Sequence, residues 1–142
     1  HFPTEADLFT ACSTHWASQS PFPAPDSWAG IDDPSKRLVA ALKDLYRWYR
    51  LEQDMMSRVL RDASTVEAVA ATLDVIWWPY LEEVVGTLAL GWAETGADSA
   101  ELTASLRLAV DFDAWRVLTE AGLTDGEAAQ LGARMVAGLS GH

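Results

Sequence analysis

The sequence predicts an all-α domain of about six helices, and three observations carry that prediction. Apolar residues recur at spacings of three and four through most of its 142 residues. Helix-capping residues stand where those patterns begin. The alternating β-branched runs that a sheet requires are missing. At this length, residues 1–142 form one domain with a sizeable core.

The first helix is predicted from Thr4 to Ser18. Thr4 is a good N-cap, with Asp7 three residues on, and Pro3 and Leu8 stand at the positions of a hydrophobic staple. Leu8, Cys12 and His15 or Trp16 share a face. Residues 19–34 contain four prolines and read as a loop tacked to the core by Phe22, Trp28 and Ile31.

Asp33 caps the next helix, with Pro34 at its first position. Leu38, Ala41, Leu42, Leu45, Trp48 and Tyr49 follow at helical spacing, and Glu52-Gln53-Asp54 marks a break or bend. Met55, Met56, Val59 and Leu60 carry the helix on to about Asp62. Residues 64–94, capped by Ser64 or Thr65, hold the strongest helical pattern, with a kink expected at Pro79. A further helix spans 99–121 and ends at Gly122, a C′ residue. It has two apolar stripes, Leu102-Leu106-Val110-Val117 and Leu108-Phe112-Trp115-Leu118, so burial is expected on both sides. The last helix follows Thr124, with Glu127 completing a capping box. Its small residues Gly132, Ala133, Ala137 and Gly138 suit close approach of another helix.

Composition narrows the function. The net charge of −11 repels phosphate backbones, so these residues should not bind nucleic acid tightly. One cysteine excludes an internal disulfide and favours the cytoplasm. No apolar run is long enough for a membrane span, and no signal peptide opens the chain.

No catalytic or metal motif stands out. The chain has three histidines, two of them terminal, and no HExxH, GxSxG, CxxC or GxGxxG. Cys12 and His15 could touch, but a buried thiol beside a half-exposed imidazole is the plainer reading. Glu82-Glu83, Asp111-x-Asp113 and Asp32-Asp33 lack the histidine at i+3 that a di-iron bundle requires. No enzyme activity, cofactor or metal is therefore expected.

The aromatic set is the candidate binding site: Trp48, Tyr49, Met55, Met56, Trp77, Tyr80, Phe112 and Trp115. Trp and Tyr combine apolar bodies with polar handles, and Met adapts its shape, as a ligand cavity uses them. A plain packed core is the alternative reading of the same residues. Trp77 lies in the apolar stripe and Trp78 about 100° away. Glu52 or Asp74 would add a polar contact.

The opening HFPTEADLF resembles the junction that closes the DNA-recognition helix in the tetracycline-repressor-like (TetR) family of transcriptional regulators. Tyr46-Arg47-Trp48-Tyr49, Met55-x-x-x-Val59-x-Arg61-Asp62, Asp111-Phe112-x-x-Trp115-Arg116-x-Leu118 and Gly122-Leu123-Thr124-Asp125-x-Glu127 are similar to the regulatory core of a bacterial subgroup of that family. The resemblance implies a ligand-binding and dimerisation domain that pairs through its last two long helices. It implies a cytoplasmic, ligand-released repressor, with a small apolar or aromatic effector among the central helices. Operator DNA would be read by a helix-turn-helix domain before residue 1, which is missing from this sequence. The homodimer interface would use Leu102, Leu106, Val110, Val117, Leu131, Met135 and Leu139. A helical enzyme or a small-molecule carrier using the same aromatic residues is the competing reading.

Overall fold

The computed structural model describes residues 18–92 and 98–139, together with Asp7, Ala11, His15 and Trp16. These residues form six helices and no strand: α1 (Asp26–Ala29), α2 (Pro34–Asp62), α3 (Glu67–Ala89), α4 (Ser99–Val110), α5 (Phe112–Glu120) and α6 (Asp125–Ala137). The all-α prediction holds. Asp7, Ala11, His15, Trp16 and Ser18 are each helical; the HFPT junction and Cys12 lie outside the described residues.

The central element is α2. It starts where expected: the Asp33 carboxylate accepts from the amides of Ser35 (2.9 Å) and Lys36 (3.1 Å), ahead of Pro34. The predicted bend is also present, at Glu52 (φ −109°, ψ 16°). Helices α3 and α6 flank α2. Gly132 lets α6 come close, because a Cβ there would stand 3.1 Å from Leu42 Cδ1. The small residues of α6 thus serve contact within the chain.

Helix α3 differs from expectation at both ends. Its N-cap is Val66, not Ser64 or Thr65, and no side chain caps it. The Ser64 and Thr65 hydroxyls donate backwards, to the carbonyls of Arg61 (2.8 Å) and Asp62 (3.4 Å), and so close α2 instead. The helix continues through Pro79; Val75, whose carbonyl loses its donor there, is 76% exposed. It ends at Ala89 because Gly91 turns the chain at φ +85°, with its Cα so near Pro34 that a Cβ would meet Pro34 Cγ at 2.8 Å. Arg37 clamps this junction. Its buried guanidinium donates to the carbonyls of Leu90 (2.6 Å), Ile31 (2.9 Å) and Asp32 (3.4 Å).

The helix predicted over 99–121 is two helices. Asp111 is extended (φ −69°, ψ 137°), and its carboxylate accepts from the amides of Asp113 (3.0 Å) and Ala114 (3.1 Å). One residue therefore ends α4 and caps α5. The break re-sorts the two stripes: Leu102, Leu106 and Val110 of α4 and Phe112 and Trp115 of α5 all enter one core. Most of the two stripes is thus covered within the chain, while Leu108 and Val117 are not. Gly122 (φ +109°) follows α5, and the Thr124–Glu127 capping box opens α6 as expected.

Candidate functional site

The six aromatic residues of the predicted site meet in the core. Trp48 and Tyr49 come from α2, Trp77 and Tyr80 from α3, and Phe112 and Trp115 from α5. The indoles of Trp48 and Trp77 stack with centroids 5.7 Å apart, and Trp77 lies 5.6 Å from Tyr80. Tyr49 meets Phe112 edge-on at 5.3 Å, and Phe112 lies 5.5 Å from Trp115. Met56 is buried in the same core, whereas Met55 is half-buried. Helical geometry separates the adjacent indoles as expected: Trp77 is 2% exposed and Trp78 41%.

Burial of so many polar handles requires acceptors. Tyr49 donates to Val110 O and Tyr46 to Ala109 O, both at the end of α4. Tyr80 donates to Pro23 O at 2.6 Å, and the Trp115 indole donates to Asp125 at 3.1 Å. Burial pushes the Tyr46, Tyr49 and Tyr80 hydroxyls up from 10.0. Nearby negative charge adds to this, from Asp111 at Tyr46 and from Glu83 and Asp44 at Tyr80. All three remain protonated donors at neutral pH.

Three rings that the sequence placed outside the site complete it, the first being Tyr46, stacked 6.2 Å from Tyr49. Phe22, from the proline-rich segment, lies 4.7 Å from Tyr80, 5.2 Å from Trp48 and 5.4 Å from Trp77. Trp16 lies 5.8 Å from Trp48. Neither Phe22 nor Trp16 belongs to a long periodic pattern, so periodicity alone could not assign them. Glu52 sits at the edge of the cluster. At the bend of α2, its carboxylate accepts from the Trp16 indole (2.9 Å) and from the Ser20 hydroxyl. Asp74, the other candidate polar contact, is exposed.

The residues assigned to pairing divide. Leu102, Leu106 and Val110 are buried within this chain. Leu131 and Leu139 are half-buried, while Val117 (66%) and Met135 (56%) stand exposed beside Leu108 (58%). These last three rim a hollow of about 320 Å³ between α4, α5 and α6, floored by Ala114, Leu118 and Gly132.

No cluster of three His, Cys, Asp or Glu among the described residues is arranged to hold a metal ion. No described helix is long and apolar enough to cross a membrane. No protein family, curated protein or solved structure matches the chain.

Proposed function

We propose that this chain is the small-molecule-sensing and dimerisation part of a TetR-like transcriptional regulator, most simply a cytoplasmic repressor. The aromatic cluster is the sensing site and takes an apolar or aromatic effector. The exposed strip of Leu108, Val117 and Met135, with Leu131 and Leu139 beside it, is the pairing face. DNA recognition falls to a separate helix-turn-helix unit, since a charge of −11 opposes phosphate binding by these residues.

The observation that carries this reading is the coupling at Glu52. Its carboxylate ties Trp16 and Ser20, from the N-terminal segment, to the bend in α2, four residues from the Trp48 indole. A ligand that shifts the Trp48 ring acts on the same short piece of backbone. A binding event can therefore displace the segment that would lead to a reading head. Such a displacement requires the ligand to favour one of two arrangements.

Two measurements test the proposal together. Sedimentation equilibrium at micromolar concentration is expected to give twice the chain mass of 15.5 kDa. A panel of neutral aromatic compounds is expected to contain members that raise the melting temperature and alter tryptophan fluorescence. A monomer indifferent to the whole panel would contradict the proposal.

A further inference from the structure

Phe22 occupies its site in an unusual way. The segment from Ser20 to Trp28 arches over α2 and α3 and is anchored at both ends. At one end, the Ser20 hydroxyl donates to Glu52 and the Ser20 carbonyl accepts from the Trp48 indole (3.3 Å). At the other, the buried Trp28 indole donates to Asp44 (2.8 Å). Between the anchors the arch sends down one aromatic side chain, Phe22, which is half-buried among Trp16, Trp48, Trp77 and Tyr80.

Side chains, not backbone pairing, hold the arch to the helices: Tyr80 O–H donates to Pro23 O (2.6 Å) between the two anchors. Pro21, Pro23 and Pro25 have no N–H. Among the described residues, no backbone–backbone hydrogen bond joins 21–25 to α2 or α3. A cleft of about 280 Å³ opens beside the arch, between Pro21, Pro23 and Ser27 on one side and Asp44, Arg47 and Trp48 on the other. It reaches the cluster from solvent.

We propose that Phe22 is a built-in occupant of the sensing site, displaced by a neutral ligand carrying one phenyl ring and a carbonyl acceptor. This rests on the reading of the cluster as a sensor. The phenyl ring follows from the group it replaces. The acceptor follows from the donors left behind: Trp48 Nε1–H and Tyr80 O–H now bond to Ser20 O and Pro23 O. Both would be stranded once the arch lifts. Neutrality follows from Glu52, at the edge of the ring cluster, and from Asp44 and Glu83, whose negative charge the Tyr80 hydroxyl feels. They oppose an anion, and the two donors call for an acceptor oxygen, which an ammonium group in its place would not supply. Displacing Phe22 also frees the Ser20 carbonyl, which loosens the neighbouring tie to Glu52.

The experiment uses phenylacetamide as the probe, with phenylacetate and cyclohexylacetamide as comparators. Binding is followed by tryptophan fluorescence, and hydrogen exchange is followed by mass spectrometry. In the unaltered protein, phenylacetamide is expected to bind and to speed exchange in residues 20–28, with α2 and α3 unchanged. Both comparators are expected to bind at least about tenfold more weakly. Phe22→Ala removes the competitor and is expected to tighten phenylacetamide about tenfold, because the competent state no longer has to be opened. The exchange measurement needs no variant, so a poorly folded Phe22→Ala leaves the test intact.

Binding without faster exchange in 20–28 would overturn the displacement and leave the sensing reading standing. Binding by Phe22→Ala alone would show an engineered hole only and would also overturn it. Equal binding of phenylacetate would overturn the ligand class. If neither protein binds any aromatic compound, the sensing reading falls with the inference.

Discussion

The ring cluster at α2, α3 and α5 and the face formed by α4, α5 and α6 bury apolar surface by different rules. In the cluster, nine rings from Trp16 to Trp115 form one connected network of contacts. The Tyr hydroxyls there donate to main-chain carbonyls. On the other face, Leu108, Val117 and Met135 stand in solvent around a hollow. The first arrangement specifies one geometry, since each ring has a direction and each handle a partner. The second has no polar partner to satisfy and imposes no direction, which suits association with another surface.

The largest effect is expected inside the cluster. Trp115 is fully buried, holds Arg50 over its ring at 4.8 Å and donates to Asp125. Trp115→Ala is expected to cost about 3–5 kcal/mol in urea unfolding. A loss below about 1 kcal/mol would mean that the rings pack loosely, and the contrast between the two regions would disappear.

Next comes Tyr49→Phe, which leaves Val110 O without its buried donor. The expected cost is about 1–2 kcal/mol. The same tyrosines set the alkaline limit. Their folded pKa values lie above 10.0, so the unfolded chain loses these protons first. Stability from this source is complete below pH 10.0 and falls as pH rises beyond it. An alkaline titration of unfolding is expected to flatten in the Tyr→Phe variants.

Asp111 stands at the seam between the regions. Asp111→Ala is expected to cost about 1 kcal/mol through the lost cap. Burial raises its carboxyl above 3.8, more than its hydrogen bonds to Ala114 and Asp113 lower it. The folded state therefore holds this proton more tightly, and stability falls as pH rises through the window above 3.8. Asp111→Asn keeps a capping oxygen without the charge. It is expected to remove that dependence and to be no less stable at pH 7. A variant as pH-dependent as the parent would contradict this account.

The smallest effect on stability is expected on the open face. Val117→Glu with Met135→Glu should change unfolding of the single chain by less than about 0.5 kcal/mol. It should nevertheless reduce the sedimenting mass to 15.5 kDa. Intact pairing in that double variant would move the interface elsewhere.

Legibility in the sequence followed the range of the interactions. Caps act over three residues, so Asp33, Thr124 and the Gly122 turn could be read directly. The bend at Glu52 was signalled by a polar step in an apolar pattern. Asp111 was passed over because its capping role competes with a periodic pattern that runs on through it. Ser64 and Thr65 are capping residue types, but the same hydroxyls can also close a preceding helix, and here they do. Apart from Tyr46, the α2, α3 and α5 rings of the cluster could be nominated from residue type and stripe. Phe22 and Trp16 could not, because Phe22 lies in a proline-rich segment with no periodicity and Trp16 at the end of a short helical pattern.

By itself the sequence determined the all-α class, the principal helix starts and most residues of the ring cluster. These depend on local hydrogen bonding and on periodicity, which are properties of a dozen residues at a time. Only the tertiary structure decided which apolar residues remain exposed. Breaking the 99–121 segment at Asp111 turned Leu102, Leu106 and Val110 inward and left Leu108 and Val117 outside. It also decided that Phe22 fills the cluster and that Arg37 joins Ile31, Asp32 and Leu90. Such choices depend on which distant segments meet, and only the packing of α2, α3 and the arch brings those segments within reach.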